Sequence, residues 1–246
     1  MGYHESLTEG RNAVLEAFRS GKTVDRLFVL DGCQDGPVKT ILREAKKQDT
    51  MVQYVKKERL DQLSETKNHQ GVIAYCAACE YAEVSDILEN AKKKGEAPFI
   101  VLLDGIEDPQ NLGAIIRTAN QAGAHGVIIP KRRAVGLTAT VARTSAGAVN
   151  YTPVAKVTNL VTVMEDLKKE GMWFVCADMD GEEMYSLNLK GPIGLVIGNE
   201  GEGVSRLVKE HCDMVASIPM KGDIDSLNAS VAMGVLAYEI VRQRRF

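Results

Sequence analysis

Three polar clusters in the sequence carry side chains that could bind a ligand or act on one. The first spans residues 104–111 and is followed by Arg117. The second is Asn199-Glu200, and the third spans residues 221–228, ending in Ser226-Leu-Asn228. Each follows an apolar run that predicts a strand, and open parallel sheets bind ligands outside the carboxyl ends of their strands. We therefore expect the three clusters to meet at one edge of a sheet.

The second cluster lies in a stretch with glycines at positions 198, 201 and 203, between an apolar run at 194–197 and a helical pattern at 204–211. Glycine permits positive φ or a close approach of the backbone to a ligand, and a helix start presents free N–H groups. The spacing G-x-x-G-x-G differs from the dinucleotide fingerprint and the phosphate loop. The stretch predicts either close contact with a small ligand or a plain turn between strand and helix.

Amide, carboxylate and guanidinium groups without a nucleophile motif indicate chemistry by alignment of two bound substrates. The chain has no G-x-S-x-G and no H-E-x-x-H. Each candidate also has a structural alternative. Asn111 is read as a cap or loop residue before a helix over 111–122, and Ser226 as the N-cap of a helix over 227–244. Glu200 could be a solvated carboxylate, and Arg117 an ion-pair partner.

Composition bounds the remaining possibilities. The 246 residues are 45% hydrophobic and carry a net charge of −3, which is ordinary for a globular protein and does not by itself indicate or exclude nucleic acid. No apolar run has the length of a membrane span. The N-terminus lacks a secretion signal, and an odd count of five cysteines favours reduced thiols, so we expect a cytoplasmic protein.

No metal site is expected. Cys76 and Cys79 have the spacing of a redox or zinc pair, but a second pair of this kind is missing from the sequence. We interpret both as small residues in a strand or at its end. The four histidines show no H-x-x-x-H spacing.

Alternating helices and strands predict an α/β fold in two parts. Helix and strand patterns alternate through residue 75, and a second α/β series begins with the apolar run at 99–103, typical of a buried parallel strand. The composition changes between residues 80 and 97. We therefore predict an N-terminal domain over 1–79, a linker or connecting helix over 80–97, and a C-terminal domain with a mostly parallel sheet over 98–246.

Three motifs resemble those of the SpoU (TrmH-type) branch of the SPOUT RNA methyltransferases. They are Asn111-Leu-Gly-Ala-Ile-Ile-Arg117, Ile197-Gly-Asn-Glu-Gly-Glu-Gly203, and Ile218-Pro-Met followed by Ser226-Leu-Asn-Ala-Ser230. They occur in the family's order and cover about residues 98–246. The N-terminal part, with Glu9-Gly-Arg-Asn-Ala-Val14 and Asn68-His-Gln-Gly-Val-Ile73, resembles the small RNA-binding domain, similar to ribosomal protein L30e, that part of this branch carries.

The resemblance implies a C-terminal trefoil knot, S-adenosyl-L-methionine (AdoMet) as cofactor, and a homodimer with its sites at the interface. It also implies site residues. The catalytic set would be Asn111, Arg117, Glu200, Ser226 and Asn228. The cofactor set would be Ala177, Ile197, Gly198, Asn199, Ile218, Met220 and Leu227. The RNA contacts would be Lys131, Arg132, Arg133, Arg143 and, in the N-terminal domain, His69.

The implied reaction is methyl transfer to a ribose 2′-OH, and the preferred substrate is a guanosine in 23S rRNA. Arg117 would bind the adjacent phosphate and stabilise the forming alkoxide, since a guanidinium barely deprotonates. Two alternatives stay open. One is a tRNA 2′-O-methyltransferase, because the catalytic motifs are shared. The other is a non-catalytic RNA-binding or ribosome-assembly protein, which the intact polar set disfavours. A nucleotide-dependent dehydrogenase is disfavoured by the glycine spacing.

Overall fold

The computed structural model describes residues 6–223 and 226–246. Two segments lie outside the described residues. They are residues 1–5, on which the expectation of no secretion signal rests, and residues 224–225 of the third polar cluster. The chain forms two compact units, one of Met1–Glu80 with Gly136–Ala139 and one of Tyr81–Val135 with Thr140–Phe246. Among the described residues, no helix combines the length and the apolar character needed to cross a membrane.

Unit 1 is a four-stranded sheet with three helices. Its strands lie in the order β1-β4-β2-β3, with β1 and β4 antiparallel neighbours and β2 parallel to β3. The elements are β1 (Ser6–Glu9), α1 (Arg11–Arg19), β2 (Val24–Leu30), α2 (Gly36–Lys47), β3 (Met51–Val55), α3 (Lys57–Leu63) and β4 (Val72–Cys76).

Alternation along β2 divides the core of unit 1 between the two faces of the sheet. Leu27 and Val29 pack with residues of α1 and α2, whereas Phe28 packs with Leu60 of α3. This is the period-2 pattern of a strand that is covered on both faces. Asp35 caps α2 by accepting a hydrogen bond from the Val38 amide at 3.2 Å.

The sequence pattern missed β1. This strand has only four residues. It is defined by antiparallel pairing with β4, which is distant in the sequence, so a local sequence pattern could not reveal it. Cys76 lies buried in β4, and Cys79 follows that strand. Burial raises the pKa of the Cys79 thiol, which lowers its thiolate fraction and is unfavourable for redox chemistry.

Unit 2 is built on a six-stranded sheet in the order β10-β8-β9-β5-β6-β7, and the described pairings in it are parallel. Its elements are α4 (Val84–Lys94), β5 (Phe99–Asp104), α5 (Pro109–Gln121), β6 (Gly126–Pro130), α6 (Ala139–Thr144, which starts in the segment assigned to unit 1), a short 3-10 helix (Ala148–Asn150), β7 (Val154–Val157), α7 (Leu160–Lys169), β8 (Trp173–Glu183), β9 (Ile193–Gly198), α8 (Arg206–Glu210), β10 (Met214–Ser217) and α9 (Ala229–Arg245).

The central strands β5 and β9 are apolar and buried along almost their full length, as expected for a parallel sheet with helices on both faces. On one face Ile100, Leu102 and Val196 join a core with Met164 and Leu167 of α7. On the other face α9 packs against β9 and α5. The mixed α/β class with a largely parallel sheet is thus confirmed.

Two predicted helix starts are wrong by two residues. α5 begins at Pro109, and its N-cap is Asp108, whose carboxylate accepts a hydrogen bond from the Gln110 amide at 2.9 Å. Asn111 therefore lies inside the first turn of the helix. α9 begins at Ala229, and its N-cap is Asn228 rather than Ser226. The pattern also predicted neither β7 nor the 3-10 helix, and it predicted a helix over 138–147 where α6 spans only Ala139–Thr144.

The segment between residues 80 and 97 holds α4, which belongs to unit 2. Its Ile87 lies in the same core cluster as Ile100, and a Cβ added at Gly126 would collide with the Ile87 side chain at 2.5 Å. The glycine therefore makes room for the helix. The domain limits 1–79, 80–97 and 98–246 stay a prediction, as does the trefoil knot.

Candidate active site

A cavity of about 680 Å³ opens in unit 2 at the carboxyl ends of β8, β9 and β10. The topology produces it at the place where parallel sheets bind ligands. It brings together every residue of the cofactor set named above: Ala177, Ile197, Gly198, Asn199, Ile218, Met220 and Leu227. Glu200 and Ser226 of the catalytic set also line it.

A break in the pairing of β8 with β10 opens one wall of the cavity. Val215 pairs with Cys176, but the next residue, Ala216, pairs with Glu182. The five intervening residues of β8, 177–181, have no counterpart on β10. This excursion, defined as residues 177–181, supplies Ala177, Asp178, Met179 and Asp180 to the cavity lining.

The glycine stretch forms the opposite wall as a tight turn. The amides and carbonyls of Asn199 and Gly203 exchange hydrogen bonds at 3.1 and 2.8 Å. The Asn199 side chain holds the turn from inside, because its Nδ2 donates to the Gly105 carbonyl at 3.0 Å and its Oδ1 accepts from the Gly201 amide at 2.7 Å. A Cβ added at Gly198 would lie 2.1 Å from the backbone of Gly203. Glycine is thus required at 198 because the chain crosses itself closely there.

Glu200 connects all three polar clusters. Its Oε1 accepts hydrogen bonds from Asn111 Nδ2 at 2.9 Å, from Asn228 Nδ2, and from the Ala229 amide at 3.3 Å. Asn228 Nδ2 also donates to Asn111 Oδ1 at 3.0 Å. A carboxylate at the first turn of α9 is favourable because the helix dipole is positive there. The expected meeting of the three clusters is therefore present in the structure, through Asn111, Glu200 and Asn228.

Arg117 does not join this group. Six helical residues separate it from Asn111, which places the two about 9 Å apart along the axis of α5 and on different sides. Its side chain is exposed and makes no hydrogen bond or ion pair within residues 6–223 and 226–246. An unpaired guanidinium at the surface has its five donors available to a phosphate or carboxylate.

Ser226 lines the cavity without capping a helix. It is exposed. The cap position belongs to Asn228, whose Oδ1 accepts from the Ser230 amide at 2.9 Å. The Ser226 hydroxyl is thus available to a ligand.

The cavity lining is acidic. Asp178, Asp180, Glu183, Glu200 and Glu202 line it, and no Lys or Arg appears in the described part of the lining. Apolar side chains such as Ile197, Ile218 and Leu227 cover part of the wall. A ligand with an apolar or aromatic body and positive charge fits such a lining.

Sequence reasoning did not name Asp178 or Lys209. Lys209 Nζ of α8 lies 2.6 Å from Asp178 Oδ2 in the excursion. The two residues are 31 positions apart, so no local pattern connects them. The signal available in the sequence was an acidic residue directly after the apolar run that ends at Ala177.

The basic residues proposed for RNA lie after β6 and in α6. Arg132 and Arg133 are exposed and make no ion pair with other described residues. Arg143 is exposed and donates from Nη2 to Thr140 Oγ1 at 3.1 Å. Lys131 is half-buried and has a partner of its own. Three of the four cations can therefore contact phosphate without first breaking an ion pair.

His69 is a poor candidate for RNA contact, and we correct that prediction. The residue is buried, with 6% of its surface exposed. Its Nδ1 accepts from the Gly71 amide at 3.0 Å, and its Nε2 lies 3.0 Å from Asp61 Oδ1. Both ring nitrogens are engaged in holding the turn before β4, so the ring supports the loop from inside.

Glu9 holds the preceding loop of unit 1. Its carboxylate accepts hydrogen bonds from the Ser64 hydroxyl, the Glu65 amide at 2.7 Å and the Thr66 hydroxyl at 2.9 Å. Burial acts to raise the pKa of Glu9, but these bonds outweigh it and hold the pKa below its ordinary value. Lys67 and Asn68, which follow, are exposed.

Comparisons with known proteins identify both units. Residues 98–238 match the SpoU rRNA Methylase family, and residues 7–82 match the RNA 2′-O ribose methyltransferase substrate-binding family. The chain is 48% identical over 237 residues to YacO of Bacillus subtilis, which is assigned to the TrmH family of tRNA/rRNA methyltransferases. This match covers 96% of this chain and 94% of YacO.

Solved structures agree in fold. The SpoU methyltransferase AviRb of Streptomyces viridochromogenes, in complex with the cofactor AdoMet, matches with a TM-score of 0.62 and 27% identity, over 98% of this chain and 91% of that one. An AdoMet-bound rRNA methyltransferase of Sinorhizobium meliloti matches with a TM-score of 0.60 and 25% identity, over 96% and 86%. The chain belongs to the SpoU (TrmH) family of RNA 2′-O ribose methyltransferases, with the family's substrate-binding domain in front of its catalytic domain.

Proposed function

We propose that this RNA 2′-O ribose methyltransferase transfers the methyl group of AdoMet to the ribose 2′-OH of a guanosine in 23S rRNA. The observation that carries the proposal is the cavity at the strand ends, with Glu200 joining Asn111 and Asn228 beside it. Family membership supplies the reaction type. The cavity and its surroundings supply the residues.

The lining fits AdoMet. AdoMet carries a positive sulfonium and a positive ammonium group. Of the five acidic residues in the lining, Asp178 is paired with Lys209, and the other four make no ion pair with other described residues and match that charge. The adenosyl group would lie against Ile197, Ile218 and Leu227, and the tight turn at Gly198 lets the backbone approach it. When bound there, AdoMet supplies an electrophilic methyl group.

The residues of the chain supply alignment and charge. Glu200 fixes the Asn111 and Asn228 amides, so these hold one orientation before the RNA binds. Ser226, whose hydroxyl makes no hydrogen bond with other described residues, lies at the cavity and orients the ribose. Arg117 binds the phosphate next to the target ribose and stabilises the alkoxide that forms as the 2′-OH gives its proton to solvent water. Preorganised alignment of two reactants contributes up to roughly 7–11 kcal/mol in favourable cases.

In a homodimer, Arg117 of one copy would reach the AdoMet cavity of the other copy. α5 and α9 pack side by side, with Gly234 close to Thr118. The outer face of α9 exposes 49% of Val231 and 51% of Tyr238, apolar area that a second copy would cover. We include a homodimer with its sites at this interface in the proposal, so that Arg117 of one copy serves the cavity of the other.

Mixing two inactive variants tests the shared site. Arg117→Ala and Asn228→Ala would each abolish transfer alone. In mixed dimers one of the two sites carries both changes and the other carries neither, so activity should return. Failure of any activity to return, with mixed dimers shown by mass spectrometry, would contradict a site shared between copies.

The substrate is proposed to be rRNA for two reasons. Residues 7–82 match a substrate-binding family, and the rRNA methyltransferase of Sinorhizobium meliloti aligns across both units of this chain. A tRNA substrate is the second candidate, because the name of YacO includes both RNA classes. In vitro methylation of 23S rRNA and bulk tRNA, followed by mapping of the 2′-O-methyl position, decides between them. Methyl incorporation into tRNA alone would overturn the rRNA proposal.

Arg117→Ala tests the mechanism. Methyl transfer should be lost, while the affinity for AdoMet in calorimetry stays nearly unchanged, because Arg117 lies outside the cavity lining. Arg117→Lys is the matched control, since it keeps the charge and loses the planar fork, and it should retain part of the activity. Loss of AdoMet binding in Arg117→Ala would refute the role. A wild-type chain that binds RNA but no AdoMet would instead support a non-catalytic RNA-binding protein.

RNA is proposed to contact Arg132, Arg133, Arg143 and Lys131 in unit 2. Binding through phosphate contacts weakens steeply with salt. RNA affinity should therefore fall as salt rises, with a smaller slope in Arg132→Ala/Arg133→Ala. An affinity that stays flat with salt would contradict this patch. The proposal also includes a cytoplasmic location and a trefoil knot. The glycine turn of the knot forms one wall of the AdoMet cavity.

A further inference from the structure

Asp178 lines the cavity and has no individual role in the mechanism above. It lies in the excursion of β8, directly after Ala177, and its side chain is 18% exposed. Its two oxygens have different partners. Oδ2 accepts from Lys209 Nζ at 2.6 Å, and Oδ1 accepts from the Asp180 amide at 3.0 Å.

These two bonds fix the carboxylate and leave acceptor capacity on both oxygens. A carboxylate offers about four lone-pair positions, and the described contacts use two of them. Burial acts to raise the pKa of Asp178, but the bonds from Lys209 and Asp180 outweigh it and keep the pKa below its ordinary value. The group is therefore an anion at neutral pH, oriented, and able to accept two further hydrogen bonds.

The surroundings of Asp178 favour hydroxyl groups of a ligand over a positively charged group. The charge of Asp178 is already matched by Lys209, so its attraction for a second cation is largely cancelled. Asp180, Glu183 and Glu202 line the same cavity and make no ion pair with other described residues, so they suit an ammonium better. Two adjacent hydroxyls need only two neighbouring acceptors. In dinucleotide-binding folds an acidic residue at a strand end binds ribose hydroxyls in this way.

We propose that Asp178, held in place by Lys209, accepts hydrogen bonds from the ribose hydroxyls of the cofactor and so makes the site selective for a ribonucleoside. The inference rests on the proposed function, since it assigns part of the AdoMet site. Asp178 is then a cofactor-binding residue. Lys209 is a positioning residue, which acts through Asp178 and ties the excursion to α8.

Wild-type protein tests the inference without any substitution. Calorimetry would compare S-adenosylhomocysteine with its 2′,3′-dideoxy form on the full chain. Loss of hydrogen bonds to a partly buried anion should weaken the dideoxy ligand on the order of tenfold to a hundredfold. Equal affinities for the two ligands would overturn the inference while leaving the proposed function intact. Absence of binding by S-adenosylhomocysteine and by AdoMet would overturn both.

Three variants assign the effect to Asp178. In Asp178→Ala the affinity ratio of the two ligands should fall close to one. Lys209→Met keeps the carboxylate and should lower the ratio only in part. Asp180→Asn is the matched control, because it removes a neighbouring lining carboxylate and should change both affinities by the same factor. Asp178→Asn, which keeps one acceptor oxygen, replaces Asp178→Ala if that variant does not fold.

A purely structural ion pair gives a different result. If Asp178 and Lys209 only tie the excursion to α8, Asp178→Ala weakens both ligands equally and the affinity ratio stays at the wild-type value. That outcome would overturn the assignment of Asp178. A ratio that falls in Asp180→Asn as much as in Asp178→Ala would overturn it as well.

Discussion

Gly198→Ala should disable the cofactor cavity, whereas Gly201→Ala in the same turn should not. An added Cβ at Gly198 would lie 2.1 Å from the Gly203 carbonyl carbon and from the Val204 nitrogen, where ordinary contact begins at 3.4 Å. The backbone of Gly203 and Val204 would have to move by the difference, 1.3 Å (3.4 minus 2.1). Neither neighbour is the flexible end of a side chain, so the turn itself must open.

Opening the turn breaks the two hydrogen bonds between Asn199 and Gly203. A net value of about 0.5–1.5 kcal/mol for each bond gives roughly 1–3 kcal/mol for the pair. If the cofactor binds only the closed turn, its affinity should fall roughly fivefold to a hundredfold, since about 1.4 kcal/mol corresponds to a factor of ten. Unfolding of the whole chain should be affected less, because the turn is at the surface.

At Gly201 the added Cβ would meet only the Asn199 side chain, at 3.5 Å, within ordinary contact. Calorimetric titration of AdoMet into both variants, with thermal unfolding as a check on folding, measures the difference. Wild-type affinity in Gly198→Ala would refute the reasoning. An equal loss in Gly201→Ala would show that the turn is sensitive to any side chain and would refute it too.

Three further predictions concern stability and the loop of unit 1. Asn228→Ala should destabilise the chain by about 0.5–2 kcal/mol through loss of the α9 cap, whereas Ser226→Ala should change it by less than about 0.5 kcal/mol, as denaturant unfolding would show. Burial lowers the pKa of His125. The unfolded state therefore binds the proton more tightly, and the free energy of unfolding should fall as pH drops below about 6.5. A His125→Gln variant whose unfolding shows the wild-type pH dependence would contradict this. Glu9→Ala should release residues 64–66 and weaken RNA binding while leaving AdoMet affinity unchanged. Hydrogen exchange should become faster at residues 64–66, and an unchanged exchange rate there would contradict the prediction.

Most strand and helix identities in unit 2, with β7 as an exception, followed from the sequence because the apolar runs are long. The buried runs at β5 and β9 and the period of α7 each admit one interpretation. The starts of α5 and α9 did not follow. Ser226 and Asn228 are both good caps, and the bond from Asn228 to Glu200, 28 residues away in the chain, favours the second.

Positions of single site residues depended on contacts far apart in the chain. A pattern can predict that polar clusters after parallel strands lie together, whereas the cofactor set came from the family resemblance. The burial of His69 depends on Asp61 and on the Gly71 amide, and the Asp178–Lys209 pair depends on the break in β8. Such contacts are set by tertiary packing, which no local window of sequence contains.

The segment Gly136–Ala139 has a consequence for how unit 1 is made. This segment belongs to unit 1 although the residues on both sides of it belong to unit 2, and the carbonyl of its buried Leu137 accepts the Ala78 amide at 2.7 Å. During synthesis the N-terminal unit therefore stays incomplete until residue 139 has left the ribosome, after more than half of the chain has been translated. A fragment ending at residue 80 would lack this piece of unit 1.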